Sequence, residues 1–144
     1  MFAGIKLKGT LFRFQTFDYS TAHANKIWQQ LWDTETNNKL HKVQAIIKPS
    51  ILYKLPRRDE VIIHRLRLGH THLTHSYLLK RELPPVCESC QLPLTVEYIL
   101  LFCSCHSAIR KSYFDCCSLE DLFTSIRHHI IVNYIKEIGI YRKL

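Results

Sequence analysis

Apolar residues recur at three- and four-residue intervals along most of the chain, and that spacing predicts a run of short helices. Ala24, Ile27, Trp28 and Leu31 follow Ser20, a residue able to cap a helix, so an amphipathic helix is expected over residues 20–36, closed by Asn37-Asn38. Trp28 and Trp32 lie one turn apart in it. One or both read first as core anchors, and as a base-stacking platform only if a ring is exposed. Residues 39–55 are apolar with scattered lysines and bounded by Pro49 and Pro56, as in a connector. Asp59 is placed to cap a helix carrying Val61, Ile62, Leu66 and Leu68, with Gly69 as its stop. Thr71 opens another through Leu79, ended by Pro84-Pro85. After Thr95, Val96, Ile99, Leu100 and Cys103 fall on one helical face. Further helices are expected over residues 107–114, then from a capping-box-like start at Ser118 with Leu119, Leu122, Phe123 and Ile126 inward. The last carries Ile130, Ile131, Tyr134, Ile135 and Ile138 and closes near Gly139. Residues 1–19 mix Leu11, Phe12, Phe14 and Phe17 with Lys and Thr in a strand-like composition without a clean period, which points to an irregular or disordered start. The expected fold is mostly α, a small bundle of short helices around a cysteine-rich turn, with residues 1–19 apart from a domain over 20–144.

The totals narrow the function classes. The chain has 144 residues, 47% hydrophobic, enough for one domain. The formal charge of +8 favours a polyanionic partner, nucleic acid before membrane. No run of eighteen apolar residues predicts a membrane span, and the opening MFAGIKLKGTLFRF lacks the apolar region of a signal peptide. An intracellular setting, cytoplasm or nucleus, is therefore expected, where six cysteines read as reduced thiols or metal ligands.

The cysteines carry the sharpest chemistry. Cys87-x-x-Cys90 aims two thiolates at one point from a single turn, the geometry a tetrahedral zinc ion needs. Cys103 is the natural third ligand, and Cys103-Ser104-Cys105-His106 offers His106 or Cys105 as the fourth. His70 and His75 are further candidates should they fold back onto the turn. The plainer alternative is that the thiols are small buried hydrophobes, the expected role of the adjacent Cys116 and Cys117.

The stretch Arg65–His106, RLRLGHTHLTHSYLLKRELPPVCESCQLPLTVEYILLFCSCH, resembles the C-terminal tail of polyproteins from jockey-like non-LTR retrotransposons. The resemblance extends back to IWQQLWDTETNNKLHKV at Ile27–Val43. It implies a zinc-knuckle-like region at residues 87–106, beyond the reverse transcriptase and ribonuclease H domains. The family histidine before Ile-Leu is Tyr98 here, and a phenol with pKa near 10 is a poor zinc ligand.

Between Lys54 and Arg81 stand seven Lys or Arg, four His and two acids. Arg57, Arg58, Arg65, Arg67, Lys80 and Arg81 are the candidate contacts to an RNA or DNA backbone; a solvated helix face is the alternative. Arg65 and Arg67 cannot share a helix face, so one is expected to turn inward. His70 and His75 are expected to bond internally and lock their turn. No pairing of carboxylates suits two-metal chemistry, and no phosphate-binding or nucleophile motif occurs, so a non-enzyme is expected. The competing expectations are a module whose C-terminal apolar helices dock on a polymerase or nuclease domain, and a decayed copy without function.

Overall fold

The computed structural model describes residues 10–47 and 54–144, with side chains from Thr21 onward. It is mostly helical. The helices are α1 (Thr10–Thr34), α2 (Arg57–Leu68), α3 (His72–Lys80), α4 (Ser107–Tyr113), α5 (Leu119–Ser125) and α6 (His128–Glu137). Between α3 and α4 lie the cysteine turn and a π-helical segment, Tyr98–Phe102.

The core is built by α6. Its stripe places Ile131, Tyr134 and Ile135 out of all solvent contact. The helix packs on α2 and α4 and is joined by Leu100 and Leu122, also fully buried. Burying side chains of this kind contributes roughly 1.5–3 kcal/mol each. The C-terminal helices therefore spend their apolar stripe inside the domain. A docking face made from Ile131 and Ile135 is not available, and Ile138 is half-buried against the same core.

Local chemistry explains the boundaries. Gly69 ends α2 at φ 68°, donating to the Leu66 carbonyl while His70 donates to Arg65, a paired closure that satisfies two orphan carbonyls. Thr71 caps α3 reciprocally: its hydroxyl accepts from the Thr74 N–H, and the Thr74 hydroxyl accepts from its own N–H. Ser118 accepts from the Asp121 N–H at 3.1 Å and starts α5. Asp59 does not cap α2. Pro56 precedes a helix that opens at Arg57, so Asp59 falls in the first turn and is buried. There it accepts from the Tyr141 hydroxyl at 2.5 Å and faces Lys136 at 3.6 Å.

The N-terminal region departs most from expectation. Helix α1 begins at Thr10, ten residues before Ser20, so the strand-like composition of the start is helical from that point; residues 1–9 lie outside the described residues. The connector's Pro49 also lies outside them. Trp28 is not a core anchor: it is 59% exposed, and Ile27 and Leu31 are exposed beside it. The end of α1 is tied to residues 44–47 by polar bonds instead. Trp32 donates to the Gln44 carbonyl at 2.9 Å, and Gln29 bonds Ala45 and Ile47. No helix among the described residues is long and apolar enough to cross a membrane.

Candidate metal centre

Two arms bring four thiols together. The first is the turn at Cys87–Cys90. Leu94 donates to Pro85, Cys87 donates to Leu92 and Gln91 donates to Cys87, all at 2.8–2.9 Å, and Val86 bridges Pro93 in antiparallel fashion. This narrow hairpin needs a left-handed residue just after the second cysteine. Gln91 takes that place at φ 54°, and its side-chain amide donates to the Glu88 carbonyl at 2.6 Å.

The second arm is the helix started by Thr95, whose hydroxyl accepts from the Tyr98 N–H at 3.1 Å. Val96, Ile99, Leu100 and Cys103 are buried as one face. Its end is not α-helical: Cys103 donates to Tyr98, five residues back, at 2.7 Å. On an α-helix residues five apart point roughly 140° away from each other; the wider turn brings Tyr98 and Cys103 towards one side. It also deprives the Ile99 carbonyl of its usual donor, Cys103. The buried Tyr134 hydroxyl donates to that carbonyl at 3.1 Å, and Arg110 donates to the Cys103 carbonyl at 3.1 Å.

The result is a cluster of Cys87, Cys90, Cys103 and Cys105 with all sulfurs within 4.8 Å of one another. Cys87 lies 3.9 Å from Cys103 and 3.8 Å from Cys105, and Cys90 lies 3.4 Å from Cys105. Sulfurs on a tetrahedral zinc ion stand roughly 3.8 Å apart for bonds near 2.3 Å. All four thiols are free, so the spacing is not that of disulfides. The four residues therefore form a site able to hold a metal ion, compatible with zinc.

His106 is not in this group. The cluster takes Cys105 from the 3-10 turn Ser104–His106 that follows Cys103. His106 lies one step further round a 3-10 turn, about 120° away. It is half-buried, and burial and then Arg110 lower its pKa. The fourth place in the cluster falls to the more exposed of the two candidates, Cys105.

Four crowded thiols cannot all ionise without a cation. A hydrogen bond from Ser104, aided by Tyr98 and Cys105, brings Cys90 down to about 5. For Cys105 the Ser89 hydroxyl pulls downward, but Cys90 and Cys87 outweigh it and leave the thiol pushed up to about 11. Burial raises Cys103. A divalent cation reverses this ordering by deprotonating the thiols it binds. Tyr98 lies at the cluster through its hydroxyl, bonded to Cys90, with its own pKa raised by that bond. It is a hydrogen-bond partner of sulfur here. Cys116 is half-buried against the core, and burial followed by Asp121 pushes it up to about 11.

The basic residues divide. Arg67 is half-buried and bonds the Gln44 side chain. Arg65 donates to the main-chain oxygen of Leu144 at 2.5 Å. Both are thus tied to other parts of the chain. Arg57 meets Glu60 at 3.5 Å from a largely solvated position, and Arg58 lies 5.0 Å above the Tyr141 ring. Lys80 and Arg81 are exposed at the end of α3. Arg142 and Lys143, which the sequence reading passed over, join Arg65, His70 and His72 around an open basic depression. A charge count extended to the last three residues would have found them. His70 and His75 stack at 3.7 Å, and His75 bonds the Thr74 hydroxyl at 2.7 Å, so they lie against each other and the α3 cap.

No protein-family model, curated protein or solved structure matches the chain.

Proposed function

We propose that this chain is a nucleic-acid-binding accessory module of the kind found at the end of non-LTR retrotransposon polyproteins, with zinc holding its knuckle and no catalytic role of its own. Cys87, Cys90, Cys103 and Cys105 are the ligands. The ion joins the hairpin, which supplies Cys87 and Cys90, to the π-helical arm and the turn that follows it, which supply Cys103 and Cys105. The observation that carries the binding role is the sorting of the cations. Arg65 and Arg67 are used within the fold, whereas Arg57, Arg58, Lys80 and Arg81 stand in solvent on a chain of net charge +8. Such side chains contact phosphates irrespective of sequence. The Arg57–Glu60 pair is no obstacle, since exposed pairs contribute only about 0–1 kcal/mol.

The test is metal analysis of the purified chain together with titration of labelled single-stranded RNA at two salt concentrations. One zinc per chain is expected, with affinity that falls as salt rises. Replacing Arg57, Arg58, Lys80 and Arg81 by Ala weakens RNA and DNA alike and flattens the log-affinity slope by roughly 0.7–0.9 per lost contact. Affinity that is absent, or indifferent to salt, ends the nucleic-acid reading. A second reading, docking on a protein, is favoured by a different face from the one first expected: Ile27, Trp28 and Leu31 of α1 are exposed together with Ile46. It predicts binding to a polymerase or nuclease domain that Trp28→Ala abolishes.

A further inference from the structure

We propose that the cleft between α3, the cysteine hairpin and the start of the π-helical arm is a subsite for one unpaired nucleotide, taking its base against Tyr77 and its phosphate at Lys39. This rests on the nucleic-acid reading and adds strand type and a place to it.

The cleft has a volume of about 410 Å³, in the range of sites that hold a small organic ligand. Its walls differ in character. Pro84, Pro85, Pro93 and Leu94 supply an apolar surface without side-chain donors, and Tyr77 adds an aromatic ring. His75 continues that aromatic wall, its ring 6.4 Å from Tyr77 and tilted by 31°. Lys39 and Lys42 form the cationic edge. Glu97, the acid in the lining, is already engaged by Lys42 at 3.7 Å. Lys39 forms no ion pair among the described residues; its ammonium lies 3.3 Å from the His75 ring nitrogen. An ammonium placed against an imidazole rather than a carboxylate is poised for an outside anion. The contact also leaves its mark on the imidazole: burial, then His70 and Lys39, lower the His75 pKa.

An apolar, aromatic wall next to an unneutralised cation matches a ligand with a flat ring at one end and an anion at the other. A nucleotide has that form, and stacking on an aromatic side chain is how unpaired bases are held without sequence reading. A paired base has both faces occupied by its neighbours and cannot enter. The cleft therefore distinguishes single strands from duplexes, which the exposed arginines do not.

The experiment uses the zinc-loaded full chain, a labelled single-stranded oligouridylate and a duplex RNA of equal length. Tyr77→Ala should weaken the single strand about fivefold to a hundredfold, the loss of one stacked base, and leave the duplex unchanged. Tyr77→Phe, which keeps the ring, should bind as the native chain does. Lys39→Glu, an exposed change that leaves the core untouched, should weaken the single strand at least as much as Tyr77→Ala at low salt. Uridine monophosphate should shift the Tyr77 and His75 ring resonances, and inorganic phosphate those of His75 alone. If folded Tyr77→Ala and Lys39→Glu both bind the single strand like the native chain, the subsite is wrong while the backbone reading stands. If the native chain binds neither RNA, both fall together.

Discussion

Helices α1 and α6 both announce themselves by apolar residues at helical spacing, yet they meet opposite fates. In α6, Ile131, Tyr134 and Ile135 are completely buried. In α1, Ile27 is 45%, Trp28 59% and Leu31 62% exposed. The difference lies in what surrounds them. Helix α6 has α2 and α4 on its sides, whereas the end of α1 is tied to the chain by Trp32, Gln29 and the backbone of residues 44–47. A stripe in a sequence therefore shows that a helix has an apolar side, and leaves open what covers it.

The cysteine site puts the largest effect on the side of the packed region. If the four thiols hold zinc, as proposed, chelating it removes a cross-link between the hairpin and the π-helical arm. Structural zinc contributes on the order of 10–16 kcal/mol in small peptides, comparable with the whole stability of a domain. Hydrogen exchange should then show loss of protection at the Cys87, Gln91 and Leu94 amides, which close the hairpin. The α1 amides should be unaffected. Cys105→Ser should reproduce much of the loss and His106→Ala should not, read by zinc retention against a chelator. Equal retention in both variants would remove Cys105 from the ligand set.

The next effect measures the contrast between the helices directly. Ile135→Ala empties a fully buried position and should cost about 2–5 kcal/mol in denaturant unfolding. Leu31→Ala should change stability by no more than about 0.5 kcal/mol. A comparable loss from Leu31→Ala would mean that α1 is covered in solution.

Much of the fold was legible because its signals are local. Gly69, Thr71, Thr95 and Ser118 are positions where one side chain, or the lack of one, satisfies nearby backbone groups. The Cys87–Cys90 turn was legible for the same reason. What escaped depends on partners distant in sequence. Asp59 looked like a cap because its bond to Tyr141 spans 82 positions. The choice of Cys105 over His106 follows the 3-10 turn after Cys103, and the π-helical close just before it is supported by Tyr134 from another helix. Spacing alone allows either ligand. One of Arg65 and Arg67 was expected to turn inward, but which, and onto what, was not legible because their partners, Leu144 and Gln44, come from other parts of the chain.

That supporting bond gives the third effect. Tyr134→Phe keeps the ring in the core, where it packs edge-on to Phe114 at 5.0 Å, and removes the hydroxyl that donates to the Ile99 carbonyl and also meets Arg110. A buried acceptor left unpaired costs about 1–3 kcal/mol. Because that carbonyl lost its ordinary donor to the wider turn, the variant should also weaken zinc retention modestly. Unchanged stability and retention would show that the π-helical close does not depend on α6.

The smallest effect is a dependence on pH, and it separates the core from the metal. His128 is buried at the start of α6, and burial, then the charge of Arg67, lower its pKa below the ordinary 6.5. Above that value the ring is neutral in both folded and unfolded chains and contributes no difference. As pH falls through 6.5 the unfolded chain takes up the proton first, so stability declines from there towards the lower folded pKa. The slope contributed by one such group is at most about 1.4 kcal/mol per pH unit. Acid also protonates the cysteine ligands, which would give a loss of the same sign. His128→Gln, which retains hydrogen-bonding capacity at the position but cannot titrate, leaves that metal contribution intact. The difference in pH slope between native chain and variant, from denaturant unfolding at several pH values below 7, isolates the histidine. Parallel slopes would assign the acid sensitivity to the knuckle instead of to α6.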